Sequence, residues 1–243
     1  MSFSADSLDR LALRSYSDFT EIGLYSATFK VVAIMSLIQS GFTTFLTPVA
    51  YESYENEPEN TMIFEKTSVF IAAIMFTLGT LIVVFKDIIF LLLATSYRNA
   101  ARIAPFLLLV PIMYTVSEVT FVGINFKKKT YWHILIASVS AIANFIGNMW
   151  LVPIYGAKGA ALSTGLSYII FFSMRTFISI RLYSVKNYLK KFYFCALIFI
   201  IVAFSSTFVY DGIMQLFISI LGCITIIYIY NDQIHQIIVM IKE

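Results

Sequence analysis

Charged residues are scarce in this chain of 243 residues. Asp, Glu, Lys and Arg make up 13% of it and hydrophobic residues 59%, against about 25% and about 45–50% in soluble domains. This composition predicts an integral membrane protein. The few basic residues are scattered between apolar segments, which is typical of lysines at an anionic membrane surface and excludes a nucleic-acid-binding patch.

Cysteine and histidine are equally scarce. Cys195 and Cys223 fall inside apolar runs, which indicates small buried thiols and excludes a disulfide framework. His133 and His235 stand alone, and the acidic linker 51–66 has no metal-ligand spacing. The sequence therefore predicts no metal site and implies no cofactor.

The apolar runs predict an all-α polytopic membrane protein with about seven spans of roughly 20 residues each. These are residues 22–50, 67–85, 103–124, 131–152, 159–180, 192–209 and 212–230. We expect Pro48 and Pro153 to end helices and Pro111 to kink one. The linker 51–66 is predicted to be a solvated loop or a short surface helix.

The basic loops predict the orientation. Nine Lys and Arg residues lie in the segments predicted on the same side of the membrane as the tail 231–243, and six in those on the same side as residues 1–21. The richer face should be cytoplasmic, so we expect a cytoplasmic carboxy-terminus and an extracytoplasmic segment 1–21. Because that segment has no signal sequence, the chain is expected to follow a missing upstream helix, as part of a longer transporter or as a separately encoded half.

Several polar side chains fall inside predicted spans, where an ionisable residue is by default a candidate for function. Lys30, Glu118 and Arg175 are the charged ones. Ser140, Asn144 and Asn148 form a polar stripe that repeats every fourth residue. Structural roles stay open, because Lys30 could pair with Glu118, Arg175 could extend to the headgroups, and Asn144 could bond a neighbouring helix.

Residues 150–170 join two apolar segments through a turn at Gly156. The small residues of the second segment recur every fourth position, as Ala157, Ala161 and Gly165 and as Gly159, Ser163 and Ser167. In lipid, small residues allow close approach of helix backbones, so we expect a tightly packed helical hairpin.

Three stretches carry a family resemblance. The first runs from Asp9-Arg10 through Glu21-Ile22-Gly23-Leu24-Tyr25-Ser26-Ala27 and Lys30 to residues 48–52; the second is 92–107, with Tyr97-Arg98-Asn99-Ala100-Ala101; the third is 151–168, with Pro-x-Tyr-Gly-x-x-Gly-Ala-Ala. In this order they resemble the second half of the multidrug/oligosaccharidyl-lipid/polysaccharide exporter superfamily, in its polysaccharide (O-antigen-type) flippase branch.

The resemblance implies a fold in which two helical bundles form a V around a hydrated cavity that works by alternating access. Residues 22–182 would be the second bundle, and 183–230 two additional transmembrane helices. The implied function is the flipping of an undecaprenyl-linked oligosaccharide across the bacterial inner membrane for O-antigen or capsule synthesis. The implied partners are the missing first bundle and polysaccharide polymerase or glycosyltransferases.

The resemblance also suggests roles for the candidate residues. Lys30, Arg175 and, at the outer rim, Arg10 would contact phosphate or acidic sugars. Asn144, Asn148 and Ser140 would hydrogen-bond sugar hydroxyls, and Glu118 would couple transport to a proton or sodium ion. A multidrug or cation antiporter of the same superfamily, or an inactive transporter fragment, remains the alternative. A membrane-embedded glycosyl- or acyltransferase is disfavoured because the loops are short and carry no catalytic cluster, so the chain is not expected to be an enzyme.

Overall fold

The computed structural model describes residues 2–91, 95–185 and 189–235, which form helices and no strands. The helices are α1 (Ser2–Tyr16), α2 (Phe19–Asn56), α3 (Met62–Leu91), a 3₁₀ helix (Thr95–Arg102), α4 (Ala104–Leu107), α5 (Leu109–Thr120), α6 (Val122–Phe126), α7 (Tyr131–Tyr155), α8 (Ala157–Leu182), α9 (Leu189–Phe208) and α10 (Gly212–Ile229). The predicted all-α class is confirmed.

Within the described residues, six helices are long and apolar enough to cross a membrane: α2, α3, α7, α8, α9 and α10. The remaining predicted span, residues 103–124, is broken into α4, α5 and α6. The first break, at Leu108, lies one turn before Pro111. Proline has no N–H for the carbonyl four residues back and its ring crowds that carbonyl, so the helix is interrupted there. The protein is thus a multi-pass membrane protein.

Two prolines predicted to end helices lie inside them. Pro48 is within α2, which continues to Asn56 and takes up the first part of the acidic linker. Pro153 is within α7, which ends two residues later at Tyr155. A transmembrane helix tolerates proline because neighbouring groups satisfy the freed carbonyl. The prediction was therefore wrong on where these helices end.

The turn at Gly156 was predicted correctly. Gly156 has φ +57°, a conformation that favours glycine, and it joins α7 to α8 as an antiparallel hairpin. The small residues predicted for close packing are all buried on α8. A Cβ at Gly165 would lie 2.7 Å from the carbonyl oxygen of Phe106 in α4, so α8 packs closely on two helices at once.

α8 lies at the centre of the bundle, against α7 on one side and α4 and α5 on the other. The hairpin α9–α10 packs on α3 at the periphery. α1, predicted only as a polar segment, is a helix that packs on α7 and α8 and buries Asp9 and Leu13 completely. Lys186 and residues 236–243 of the predicted tail lie outside the described residues.

Candidate functional site

α2 has one face that the other described residues do not cover. Val31, Val32 and Met35 turn towards the bundle and are buried, whereas Lys30 and Leu37 are exposed on the opposite side. A Cβ added at Gly41 would meet nothing within 4 Å. Lys30 is the twelfth of the 38 residues of α2, a helix long enough to cross a membrane, and it lies on a face that the other described residues leave exposed.

Lys30 has no hydrogen-bond or ion-pair partner within the described part of the chain. The suggested pair between Lys30 and Glu118 is wrong, because Glu118 binds Arg175 instead, with 2.9 Å between Oε1 and Nη1. Lys30 is thus left as an unneutralised ammonium. In hydrocarbon such a charge is costly, so it requires water, an anion or another polypeptide.

The pair of Glu118 in α5 and Arg175 in α8 is enclosed. Their side chains are 8% and 6% exposed, so Arg175 does not extend to the headgroups. Arg175 Nη1 also donates to Ser117 Oγ at 2.6 Å, and its guanidinium lies 3.8 Å from the ring centroid of Phe121, where cation–π attraction adds to the ion pair. In this conformation the two charges neutralise each other.

Asp9 in α1 is the centre of a second buried polar cluster. Its Oδ1 accepts hydrogen bonds from Asn144 Nδ2 at 3.1 Å and Asn148 Nδ2 at 2.6 Å. Its Oδ2 accepts one from Thr164 Oγ1 at 2.6 Å and one from the Tyr25 hydroxyl. Four donors from α2, α7 and α8 thus surround one carboxylate that is 0% exposed.

This cluster accounts for the positions of Asn144 and Asn148, two of the residues predicted to bind sugar hydroxyls. Asn144 and Asn148 are 1% exposed and donate to a neighbouring helix, which is the structural role that the sequence left open. Asn148 Oδ1 and Ser140 Oγ are buried without a hydrogen-bond partner among the described residues. Carboxylate, amide and hydroxyl oxygens are also ligand types for hard cations, although all four groups around Asp9 are placed here as donors to it.

Asp9 was not among the predicted site residues, because in the sequence it is one of six charges in a polar segment. The available signal was indirect. Asn144 and Asn148 repeat at helical spacing inside a span, and such a pair requires a polar partner on another helix. Asp9 and Leu13 share a face of α1 by the same spacing. Arg10, the other predicted residue of α1, is exposed.

No family model matches this chain, and no curated protein matches it. A solved structure titled "Lipid II flippase MurJ, inward closed conformation" is similar in fold. The TM-score is 0.62 at 18% sequence identity, over 97% of this chain and 52% of the flippase. The chain therefore has the fold of one part of a flippase and spans about half of its length.

Proposed function

We propose that this chain is the second half of a flippase that moves a lipid-linked anionic saccharide across a membrane. The observation that carries the proposal is Lys30, a cation without an ion pair among the described residues, on the uncovered face of a membrane-crossing helix. The fold supports it, since a chain of this length is similar to about half of a lipid II flippase. A second bundle opposite α2 would enclose the uncovered face in a cavity.

The chemistry of the substrate follows from that charge. A polyprenyl pyrophosphate carries a multiply charged head that hydrocarbon excludes. An ammonium within the membrane-crossing part of α2 would lower this barrier, because it attracts the phosphates while water fills the rest of the cavity. A cation antiporter would instead need an accessible acidic residue, and Glu118 is neutralised by Arg175.

We further propose that the cargo is an undecaprenyl-linked oligosaccharide for O-antigen or capsule synthesis in the bacterial inner membrane. Arg10 would contact it at the outer rim. Glu118 and Arg175 would take part only in a conformation that separates them. The first bundle would come from the same polypeptide or a separate one, and the polymerase or glycosyltransferases that use the repeat unit would be its neighbours.

The experiment replaces the chromosomal codon, so that the protein keeps every partner it has in the cell. Lys30→Ala should block surface polysaccharide and accumulate lipid-linked repeat units on the inner leaflet, at unchanged membrane abundance. Lys30→Arg should preserve export, because it keeps the positive charge. Lys66→Ala, which removes an exposed lysine at the start of α3, is the matched control and should export normally.

Accessibility supplies a second readout. A cysteine at position 30 should react with a membrane-impermeant thiol reagent, because the proposed cavity is hydrated. A cysteine at Phe217, an exposed apolar residue of α10, should not react, because it faces lipid. Full export by Lys30→Ala, or an unreactive cysteine at position 30, would contradict the proposed function.

A further inference from the structure

A cavity of about 570 Å³ opens at the end of the bundle where α2 and α8 begin and where α7 and α9 end. Its basic wall consists of Arg102, from the end of the 3₁₀ helix, and Lys158, from the first turn of α8. Its apolar wall includes Ile154 and Phe208. The cavity is separate from the α2 face and from both buried polar clusters.

The two cations of this cavity converge on one aromatic ring. The Arg102 guanidinium carbon lies 4.6 Å and Lys158 Nζ 5.5 Å from the ring centroid of Tyr210, in the turn between α9 and α10. Neither cation has an ion pair or a hydrogen bond from its side chain to any described residue. Both cations line the same cavity, and a bound anion would offset the repulsion between two like charges there.

The nearby carboxylates do not supply that anion. Glu21 lines the cavity, but its Oε2 accepts the backbone N–H of Ala157 at 2.7 Å, at the first turn of α8. Asp211, next to Tyr210, caps α10 by accepting the N–H of Ile213 at 3.0 Å. Both acids stabilise helix N-termini, and neither pairs with Arg102 or Lys158. Two cations and one carboxylate line the cavity, so its lining keeps a net charge of +1.

We propose that this cavity binds the phosphate headgroup of an amphiphilic lipid. Arg102 would bind the phosphate by its planar fork and Lys158 as a point charge, beside the Tyr210 ring that both cations contact. The volume fits a small organic molecule and exceeds the need of a bare phosphate ion. Ile154 and Phe208 offer the apolar surface that the first carbons of a lipid chain would cover. The site requires no flipping activity, and it can fail or hold independently of the role of Lys30.

The test is calorimetric titration of the purified full chain in a neutral detergent with three probes. Dihexanoyl phosphatidic acid carries phosphate and tails, dihexanoylglycerol the tails alone, and inorganic phosphate the anion alone. We expect saturable binding of the phosphatidic acid and none of the diacylglycerol. Inorganic phosphate should bind at least about tenfold more weakly, because it leaves the apolar wall uncovered.

Variants locate the binding. Arg102→Gln and Lys158→Gln should each weaken phosphatidic acid binding about tenfold or more, since each removes a charge-assisted hydrogen bond. Lys158→Arg should retain binding, which separates loss of the site from loss of the fold. The control variant combines Lys66→Gln with Lys190→Gln and removes two positive charges at the starts of α3 and α9, away from the cavity. It should bind phosphatidic acid as the unchanged chain does.

Three results would overturn the proposal. One is equal affinity for inorganic phosphate and phosphatidic acid, which would indicate a simple anion site. Another is unchanged affinity in the variant that combines Arg102→Gln with Lys158→Gln. The third is an equal loss of affinity in the control variant with both distant lysines replaced, which would indicate a non-specific effect of net charge.

Discussion

The ion pair between Glu118 and Arg175 should be coupled strongly enough to measure. Glu118→Leu would leave the guanidinium buried with Ser117 as its remaining hydrogen-bond acceptor, and Arg175→Met would leave the carboxylate buried without its cation. Removing one member of a buried pair costs about 3–5 kcal/mol, whereas replacing both by apolar side chains is often close to neutral. The double variant should therefore be more stable than either single variant.

The surroundings support that expectation. The Arg175 stem lies among the rings of Tyr114, Phe121 and Phe171, where methionine would keep apolar contact. Ser117 Oγ also donates to the Tyr114 carbonyl at 2.7 Å, so it keeps a partner when Arg175 is replaced. The net cost of the double variant should be small, and we expect a coupling energy of about 2 kcal/mol or more.

The assay is unfolding of the purified chain in mixed micelles by increasing SDS, followed by helical ellipticity. The four proteins of the double-mutant cycle are compared at one temperature and salt concentration. Glu52→Gln and Lys66→Gln, at two exposed positions, form the control cycle and should each change stability by less than about 0.5 kcal/mol. Additive effects at Glu118 and Arg175, within about 0.5 kcal/mol, would refute the reasoning.

Three further predictions concern packing, the Asp9 cluster and orientation. Gly165→Leu should reduce the yield of folded protein, because its side chain would meet the α4 backbone 2.7 Å away, whereas Gly41→Leu, in open space, should fold normally; equal yields would contradict the close contact. Asp9→Ala should lower the free energy of unfolding by about 3 kcal/mol or more, since several buried donors lose their acceptor. Asp18→Ala removes only the cap of α2 and should lower it by about 1 kcal/mol. Thermal unfolding in detergent measures both, and equal losses would contradict the prediction. A cysteine that replaces Lys158 should react with a membrane-impermeant thiol reagent added to intact cells. Reaction only after permeabilisation would show that the predicted orientation is wrong.

Six of the seven predicted spans are single long helices, because hydrocarbon imposes a length and a composition on each helix separately. The sequence also predicted the hairpin, since the positive φ at Gly156 and the small residues that follow it are local features. It failed at Pro48, where α2 continues. Whether proline ends a helix depends on neighbours that supply or withhold hydrogen bonds, and these are not visible in the local sequence.

The pairing of the polar residues was harder to predict for the same reason. Glu118 and Arg175 are 57 residues apart, and Asp9 and Asn144 are 135 apart. A single sequence shows that a buried charge requires a partner, but it does not show which one lies opposite. Lys30 and Arg175 were equally eligible to pair with Glu118, and only the packing of α8 on α5 decides between them.

The pairing of Glu118 with Arg175 determines which charges remain available to bind a ligand. Within the described residues, the acidic groups buried deepest are satisfied: Glu118 by Arg175, and Asp9 by four neutral donors. The charges without an ion pair to a described residue include Lys30 on the uncovered face of α2, and Arg102 and Lys158 in the cavity at the end of the bundle. All three are cationic, and a surface that keeps cations exposed while its buried acids are satisfied attracts anions. Two separate places along one membrane protein thus offer positive charge beside apolar surface, which is the chemistry that an anionic lipid requires at its headgroup and its tail.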